Sequence, residues 1–270
     1  DLHIHTNFSD GWFSLEEVLI EAKENNVKII SITDHNLFEA HKLIKDKNII
    51  VGTEICVEYK GYEYHFLMYG FDVNNKYMKK YDDKVKKHNI SKFIEKINMF
   101  EQLFKININK DKLNDFIDRN VYFDRVRLNN LLVELNIVNT PKEAFYKYTN
   151  KIPEHKRFML TLEELFELEK NTDSVVSIAH PTKYFNDLKD VEDFILMLKN
   201  NYNLRCVEVI SPRATLEEQE SLLKFCKTKN LYISGGSDYH GDKNLKHIKR
   251  IGFGKKEILK SELTILELLR

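Results

Sequence analysis

Histidine and carboxylate side chains recur along the chain in short motifs that coincide with the ends of predicted strands. In chain order they are His3, His5, Asp10, His35, Glu54, His65, His180, Asp238 and His240. A donor set of imidazole and carboxylate without sulfur suits Zn, Mn or Fe better than Cu(I) or an iron–sulfur cluster. One divalent ion takes about four to six ligands. These side chains are too many for one ion and predict a cluster of two or three divalent ions.

Each motif alone has a simpler interpretation. An isolated His-x-His pair such as His3 and His5 is more often a partly buried strand histidine, and Asp238 and His240 alone could belong to a turn. Their occurrence in order at successive strand ends favours a metal cluster over coincidence. The other histidines are interpreted as surface or packing residues, namely His41, His88, His155 and His247.

The elements that must position these residues alternate between strand and helix. Residues 27–33 (VKIISIT) are an apolar, β-branched run that predicts a strand buried on both faces. Ser14 and Glu17 have the spacing of a capping box, which predicts the start of a helix that reaches about residue 26. The alternation returns after Thr161 and brings the total to about seven strands. This order predicts an α/β fold with a parallel barrel, whose functional groups lie at the carboxyl ends of the strands.

The middle of the chain has a different pattern. Between residues 77 and 157 there is no convincing strand signal, and apolar side chains such as Phe93, Ile97 and Phe100 recur at helical spacing. We therefore predict a barrel domain of residues 1–76 and 158–270, with a helical insertion of residues 77–157. We expect the insertion to have its own core and to cover the mouth of the active site.

The overall composition excludes several classes of protein. The 270 residues include 42 Lys and Arg against 42 Asp and Glu, so bulk charge does not favour a membrane surface or long duplex nucleic acid as partner. No apolar run approaches the roughly 20 residues of a membrane span. Three cysteines without C-x-x-C spacing exclude a disulfide scaffold and a thiolate zinc site, and they favour a reducing, cytoplasmic location. Cys206 and Cys226 are interpreted as core thiols. Cys56 is interpreted as a core thiol too, with the alternative that it approaches the site, because it shares a strand face with Glu54.

The motifs resemble those of the PHP (polymerase and histidinol phosphatase) phosphoesterases. They are DLHIHT with SDG, TDHN, GTE, the strand histidine of YEYHFLMYGF, AHP and GGSDYHG, in order from Asp1 to Gly241. The resemblance implies a distorted (β/α)7 barrel with up to three metal ions, Glu54 bridging two of them. The implied ligands are His3, His5, Glu54 and Asp238 for the first ion, Asp10, His35 and His240 for the second, and Glu54, His65 and His180 for the third.

Within that family the chain is most similar to bacterial enzymes that act on nucleoside 3′,5′-bisphosphates and short 5′-phosphorylated oligonucleotides. Those enzymes have a helical insertion at the same place, and a stretch similar to EVISPR at residues 208–213. One departure leaves the exact substrate open. The related enzymes often have Arg-Pro-His in the insertion, where this chain has RVR at residues 125–127.

The resemblance and the donor set together predict hydrolysis of a phosphate monoester by a metal-bridged hydroxide. The expected substrate is a small phosphorylated molecule, namely a nucleotide or short oligonucleotide. The residues assigned to catalysis are Asp10, His35, His240 and Asp34, the last expected to orient a ligand histidine. The residues assigned to phosphate binding are the arginines Arg213, Arg125 and Arg127, for which surface salt bridges are the alternative.

Three other functions stay open. A histidinol-phosphate phosphatase is the nearest alternative, and the helical insertion, which suits a larger ligand, argues against it. A non-catalytic PHP module that binds metal only for structure is disfavoured by the complete set of ligands. A metal-dependent amidohydrolase is disfavoured by the number of ligands and by the arginines.

Overall fold

The computed structural model of the protein describes residues 1–46, 48–241 and 258–269. The chain divides into two compact units. The sheet unit comprises Asp1–Lys80 and Met159–Arg270, and the helical unit comprises Tyr81–Phe158. None of the helices in the described part of the chain combines the length and the apolar character that a membrane span requires.

Strands and helices follow one another in an order that fits an α/β protein with an inserted run of helices. Along the described residues the elements are α1 (Leu15–Glu24), β1 (Ile30–Ile32), α2 (Glu39–Leu43), β2 (Ile49–Tyr59), β3 (Tyr62–Tyr69), α3 (Lys76–Phe104), α4 (Lys110–Asp118), α5 (Arg125–Glu134), α6 (Pro141–Lys147), α7 (Leu162–Thr172), β4 (Val175–Ile178), α8 (Leu188–Tyr202), β5 (Cys206–Ile210), α9 (Leu216–Thr228) and β6 (Tyr232–Gly235).

The sheet has six strands in sequence order. β1 pairs with β2, and β4 with β5 and β5 with β6, in parallel, whereas β3 is antiparallel to both of its neighbours. Ile4 forms parallel bridges to Ile32 on one side and to Tyr239 on the other, so the extended first residues link the two edges of the curled sheet. The α/β prediction is therefore confirmed, while a strictly parallel arrangement of alternating strands and helices is wrong for β3.

The reversal of β3 has a local cause. Only Lys60 and Gly61 separate the paired residues Tyr59 and Tyr62. Both have positive φ, +52° and +84°, as the central residues of a type I′ hairpin require, and glycine adopts such a φ without steric cost. A two-residue connection can join only antiparallel strands, because a parallel pair needs a crossover of about a dozen residues or more.

Three helices of the sheet unit begin with the same local device. Ser14, Thr161 and Thr215 each accept a backbone N–H from a glutamate three residues later, and the glutamate side chain accepts the N–H of the capping residue. Each such cap stabilises a helix by about 1 kcal/mol. The first of these is the capping box predicted from the sequence, and α1 ends at Glu24, slightly earlier than expected.

The helical unit contains α4, α5 and α6 and most of α3, and it has a core of its own. Phe93, Ile97 and Phe100 lie on one face of α3 and are buried with Phe116 of α4 and Leu132 of α5. These α3 residues are the ones whose helical spacing is visible in the sequence.

Candidate metal centre

All nine predicted metal ligands lie in the sheet unit, and the structure brings their side chains together. They come from seven places: His3 and His5 from the extended first residues, Asp10 from the loop that follows, His35 from the segment after β1, Glu54 from β2, His65 from β3, His180 from the segment after β4, and Asp238 and His240 from the segment after β6. His65 lies within its strand, as predicted, whereas Glu54 lies inside β2 rather than at its end because the hairpin extends β2 to Tyr59.

Glu54 lies at the centre of this group. Its buried carboxylate faces five imidazoles, three through Oε2 and two through Oε1. The distances from Oε2 are 3.4 Å to His3 Nε2, 3.2 Å to His5 Nε2 and 3.1 Å to His35 Nδ1, and those from Oε1 are 3.0 Å to His65 Nδ1 and 3.1 Å to His180 Nε2. One carboxylate can therefore serve two neighbouring ion positions.

The donor atoms separate into overlapping groups that could each hold an ion. Within each group they lie no more than 4.8 Å apart. The groups are His3, His5 and Glu54; Glu54, His65 and His180; His5, Asp10, His35 and His240; and, with a thiol, His35, Cys56 and His65. Asp238 adjoins the first group, since its Oδ1 is 3.6 Å from Nε2 of both His3 and His5. The first three groups resemble the predicted ligand sets for the three ions. The difference is that His5, assigned to the first ion, also lies next to the ligands assigned to the second ion.

Several buried ring nitrogens in the group lack hydrogen bonds. Nε2 of His3, both ring nitrogens of His5 and Nδ1 of His180 have no hydrogen-bond partner among the described residues. A buried polar atom without a partner costs about 1–3 kcal/mol. Coordination of divalent ions would satisfy these atoms, and the mixed nitrogen and oxygen donors suit Zn, Mn or Fe. The residues present therefore fit a cluster of divalent ions.

The electrostatics of the group favour binding of cations. Burial alone would raise the pKa of Glu54, but the neighbouring imidazoles outweigh it and hold the pKa well below its ordinary value. Burial likewise opposes charge on His3, yet Glu208 and Glu54 raise its pKa well above the usual range for histidine. The carboxylates are thus held ionised, and an arriving cation displaces protons from the imidazoles.

Glu208, on β5, is a functional residue that the sequence analysis quoted only as part of a motif. Its Oε1 lies 2.8 Å from His3 Nδ1, and its Oε2 accepts the backbone N–H of His180 at 2.6 Å. With a carboxylate as acceptor, Nδ1 of His3 is the donor, so Nε2 is the ring nitrogen that can coordinate an ion once its own proton is displaced. A glutamate within the apolar strand CVEVI was the available signal, because a charge in a buried strand needs a partner.

Two of the ligands adopt left-handed backbone conformations. The φ angles are +31° for His180 and +51° for Asp238. Such conformations are costly for residues with a side chain and persist where the surroundings enforce them. For His180 the bond from its N–H to Glu208 does so. Near Asp238 the chain passes so close to His3 that a side chain on Gly236 would contact the His3 backbone nitrogen at 2.4 Å.

Asp34 contacts the first loop rather than a ligand histidine. Its Oδ1 accepts hydrogen bonds from Thr6 N at 2.8 Å and Ser9 Oγ at 2.6 Å, and its Oδ2 accepts one from Thr6 Oγ1 at 2.7 Å. These contacts differ from the prediction that Asp34 orients the imidazole of a ligand histidine. Asp34 instead holds the loop that carries Asp10.

The three predicted phosphate-binding arginines lie in different units. Arg213, in the sheet unit, is 47% exposed and its Nε lies 3.3 Å from Asp238 Oδ2, so it adjoins the metal centre. Arg125 and Arg127 lie in the first turn of α5 in the helical unit, where Arg125 Nε is 2.8 Å from Glu154 Oε1. Phosphate binding by that pair stays a prediction.

Comparison with models of protein families matches residues 1–220 to the PHP domain. The chain belongs to the PHP domain family. Among its relatives, it is 22% identical over 259 residues to the 5′-3′ exoribonuclease Rnm of Escherichia coli (strain K12), a match that covers 89% of this chain and 84% of that protein. It is 25% identical over 250 residues to a 5′-3′ exoribonuclease of Haemophilus influenzae, covering 89% of each chain.

Solved structures share the PHP fold of this chain. A protein from Bifidobacterium adolescentis, described as a candidate metal-dependent phosphoesterase, superposes with a TM-score of 0.69 at 22% identity, covering 100% of this chain and 94% of that one. A protein from Chromobacterium violaceum, described as an amidohydrolase with bound sulfate and no metal, superposes with a TM-score of 0.71 at 20% identity, covering 100% and 95%.

The family match and the donor set agree on the class of protein. It is a metal-dependent phosphoesterase of the PHP family and therefore a hydrolase, as the sequence predicts. The match to 5′-3′ exoribonucleases agrees with the branch indicated by the EVISPR stretch.

The remaining histidines and cysteines of this PHP protein lie in the core, at the border of the site or, for His88 and His155, in the helical unit. His41 is buried, with Nε2 2.7 Å from the carbonyl oxygen of Ile32, and Cys206 and Cys226 are buried in the core, as expected. Cys56 is buried too, but its Sγ lies 3.8 Å from His35 Nδ1, so this thiol borders the metal centre. His247 lies outside the described residues.

Proposed function

We propose that the protein hydrolyses phosphate monoesters of nucleotides, either nucleoside 3′,5′-bisphosphates or short 5′-phosphorylated oligonucleotides, with two or three divalent ions. The observation that carries this proposal is the set of five imidazoles around the buried carboxylate of Glu54. A carboxylate so surrounded, beside ring nitrogens that bond to nothing else among the described residues, is suited to hold ions side by side.

The residues of the metal centre and Arg213 beside it have separate tasks in this reaction. Clustered divalent ions, when bound, activate water at neutral pH and neutralise phosphate oxygens. Glu54 and the imidazoles around it hold the ions, and Glu208 keeps His3 in the tautomer that can bind one. Arg213 offers a planar guanidinium to a phosphate oxygen at the edge of the centre. Phosphoryl transfer depends mainly on such positioning and charge stabilisation, so no protein nucleophile is needed.

Charge and similarity support a nucleotide as substrate. The chain as a whole is neutral, but three divalent ions would carry more positive charge than Asp10, Glu54, Asp238 and Glu208 together carry negative charge. The centre would thus attract small anions without a basic surface around it. The relatives are named 5′-3′ exoribonucleases, and the Chromobacterium violaceum protein binds sulfate, which has the charge and shape of a phosphate group.

Metal content and substrate preference, measured on the same preparation, test the proposal. We expect the purified full chain to contain tightly bound divalent metal. Reconstituted with Mn, Zn or Fe, it is expected to hydrolyse adenosine 3′,5′-bisphosphate and 5′-phosphorylated dinucleotides in preference to histidinol phosphate. The variant His180→Ala is expected to lose most of this activity.

Other outcomes would assign a different function. Preference for histidinol phosphate would indicate a histidinol-phosphate phosphatase. A metal-replete protein that hydrolyses no phosphoester would indicate a non-catalytic module, and hydrolysis of an amide panel would indicate an amidohydrolase. Protein without tightly bound metal, or His180→Ala as active as the wild type, would overturn the proposal.

A further inference from the structure

The metal centre is open to solvent on one side. Of the nine ligand side chains, Asp10 is 22% exposed and His240 is 33% exposed, whereas each of the other seven is exposed by 10% or less. A substrate whose phosphate reaches the ions therefore extends outward past Asp10 and His240. Side chains at this edge are the ones that can contact the rest of the substrate.

Trp12 lies at this edge. It follows Asp10 by two residues, and its backbone N–H donates to the carbonyl oxygen of His240 at 2.7 Å. It is the only tryptophan of the chain, and the residue is 53% exposed. Among the described residues, no aromatic ring stacks on the indole and no acceptor binds its N–H. A large aromatic surface is thus offered to solvent by a residue whose backbone is bonded to that of His240, the most exposed predicted ligand.

The loop that carries Trp12 is held in place on both sides of this residue. Gly11 N–H donates to Thr6 O at 2.9 Å, and Asn7 N–H donates to Phe13 O at 2.8 Å. The ring of Phe13 stacks on that of Tyr239, with centroids 6.2 Å apart and planes 15° from parallel. The backbone of Trp12 is therefore ordered before any ligand arrives, which lowers the entropy cost of binding to its side chain.

An exposed indole on an ordered loop suits a flat aromatic ligand. Every nucleobase has a π-face, and stacking on an aromatic side chain needs no particular hydrogen-bond pattern. We propose that Trp12 forms a stacking subsite for the base of the nucleotide whose phosphate binds at the metal centre. This inference rests on the proposed function. It adds that affinity for the base comes from Trp12 and is tolerant of base identity.

Adenosine 5′-monophosphate and ribose 5-phosphate test this subsite, because they differ only in the base. Since Trp12 is the only tryptophan, the fluorescence of the metal-loaded full chain reports on it directly. We expect adenosine 5′-monophosphate to quench this fluorescence and ribose 5-phosphate to leave it unchanged. In Trp12→Ala, calorimetry should show binding of the nucleotide weakened about tenfold or more, with ribose 5-phosphate binding within twofold of wild type. Trp12→Phe should recover most of the nucleotide affinity.

Tyr62→Ala is the matched control, because Tyr62 is an exposed aromatic residue of the same unit at the tip of the β2–β3 hairpin. This variant should bind both ligands like the wild type. Quenching by the nucleotide in a protein that hydrolyses no phosphoester would support the subsite while contradicting the proposed function. Hydrolysis of nucleotides without quenching, with Trp12→Ala binding both ligands like the wild type, would overturn the subsite and leave the function standing.

Discussion

The metal centre has two sides that are built differently. On the buried wall, formed by His3, Glu54, His180 and Glu208, each side chain is in contact with another and almost fully buried. On the exposed edge, Asp10, His240 and Arg213 keep part of their surface in water, and Trp12 lies beside them. The wall is held by contacts that exist before any ligand binds, whereas the edge offers groups that contact what arrives.

This difference assigns separate tasks to the two sides. Buried charges are costly unless they are paired, so a change in the wall should alter affinity for metal. Arg213 and Trp12 at the edge are solvated and are not among the predicted ligands, so a change in either should alter affinity for substrate and leave the bound metal in place. Measuring metal content and KM on the same variants separates the two effects.

Glu54→Gln should have the largest effect, because Glu54 contacts five imidazoles of the wall and its surroundings. We expect kcat to fall at least about a thousandfold, since bound ions stabilise the transition state by several kcal/mol. Metal analysis should show fewer ions per chain. Glu58→Gln, on the same strand but exposed, is the control and should keep both metal and activity. Full metal content in Glu54→Gln would contradict the central role of this residue.

Removal of metal should destabilise the protein, because the wall then keeps unpaired buried nitrogens. Metal at one hundred times its dissociation constant stabilises a folded protein by about 2.7 kcal/mol. Chelation should therefore lower the melting temperature by roughly 5 °C or more, as scanning calorimetry can measure. The Glu54→Gln variant should show a smaller shift. An identical melting temperature with and without chelator would mean that the wall does not bind metal.

Glu208→Gln should weaken metal binding without removing any ligand. The amide would present an N–H to His3 Nδ1, which shifts the imidazole proton to Nε2, where the ion must bind. Loss of such an orienting partner typically lowers metal affinity about 10–100-fold. Competition with a chelator measures this, and excess metal should restore much of kcat.

Glu169→Gln is the control for this substitution. Glu169 is another buried glutamate of the sheet unit, with Oε1 accepting the Val176 N–H at 2.9 Å and an Arg205 nitrogen 3.3 Å away. The Glu169→Gln variant should differ from the wild type in stability but not in its affinity for metal. Equal metal affinities in Glu208→Gln and the wild type would show that Glu208 has only a structural role.

Arg213→Ala should have the smallest effect and should act on substrate alone. Loss of a guanidinium that binds phosphate should raise KM about tenfold. Arg213→Lys keeps the charge but not the planar guanidinium, so its KM should lie between those of the wild type and Arg213→Ala. Steady-state kinetics with metal analysis can measure both. A fall in metal content in Arg213→Ala would show that the edge and the wall are not separate.

Much of the fold follows from local patterns. The capping box at Ser14 and the apolar run at residues 27–33 are recognisable without any partner in the tertiary structure. The direction of β3 differs from the predicted parallel arrangement, although its cause, the two-residue turn at Lys60 and Gly61, is local. The alternation of strands and helices predicts which residues form strands but not the direction in which every pair of strands runs. The bridges of Ile4 to both edges of the sheet join residues far apart in the chain, and no local pattern encodes them.

The sequence by itself determined the types and the order of the candidate metal ligands, because strand periodicity and the chemistry of imidazole and carboxylate side chains are local properties of the chain. Only the tertiary structure decided how these residues share their tasks. It placed Glu54 between five imidazoles, turned Asp34 toward the first loop, and paired Glu208 with His3 across 205 positions of the chain. Such pairings depend on strand register and on which face each side chain takes, and those are settled by packing of the whole sheet rather than by neighbours in sequence.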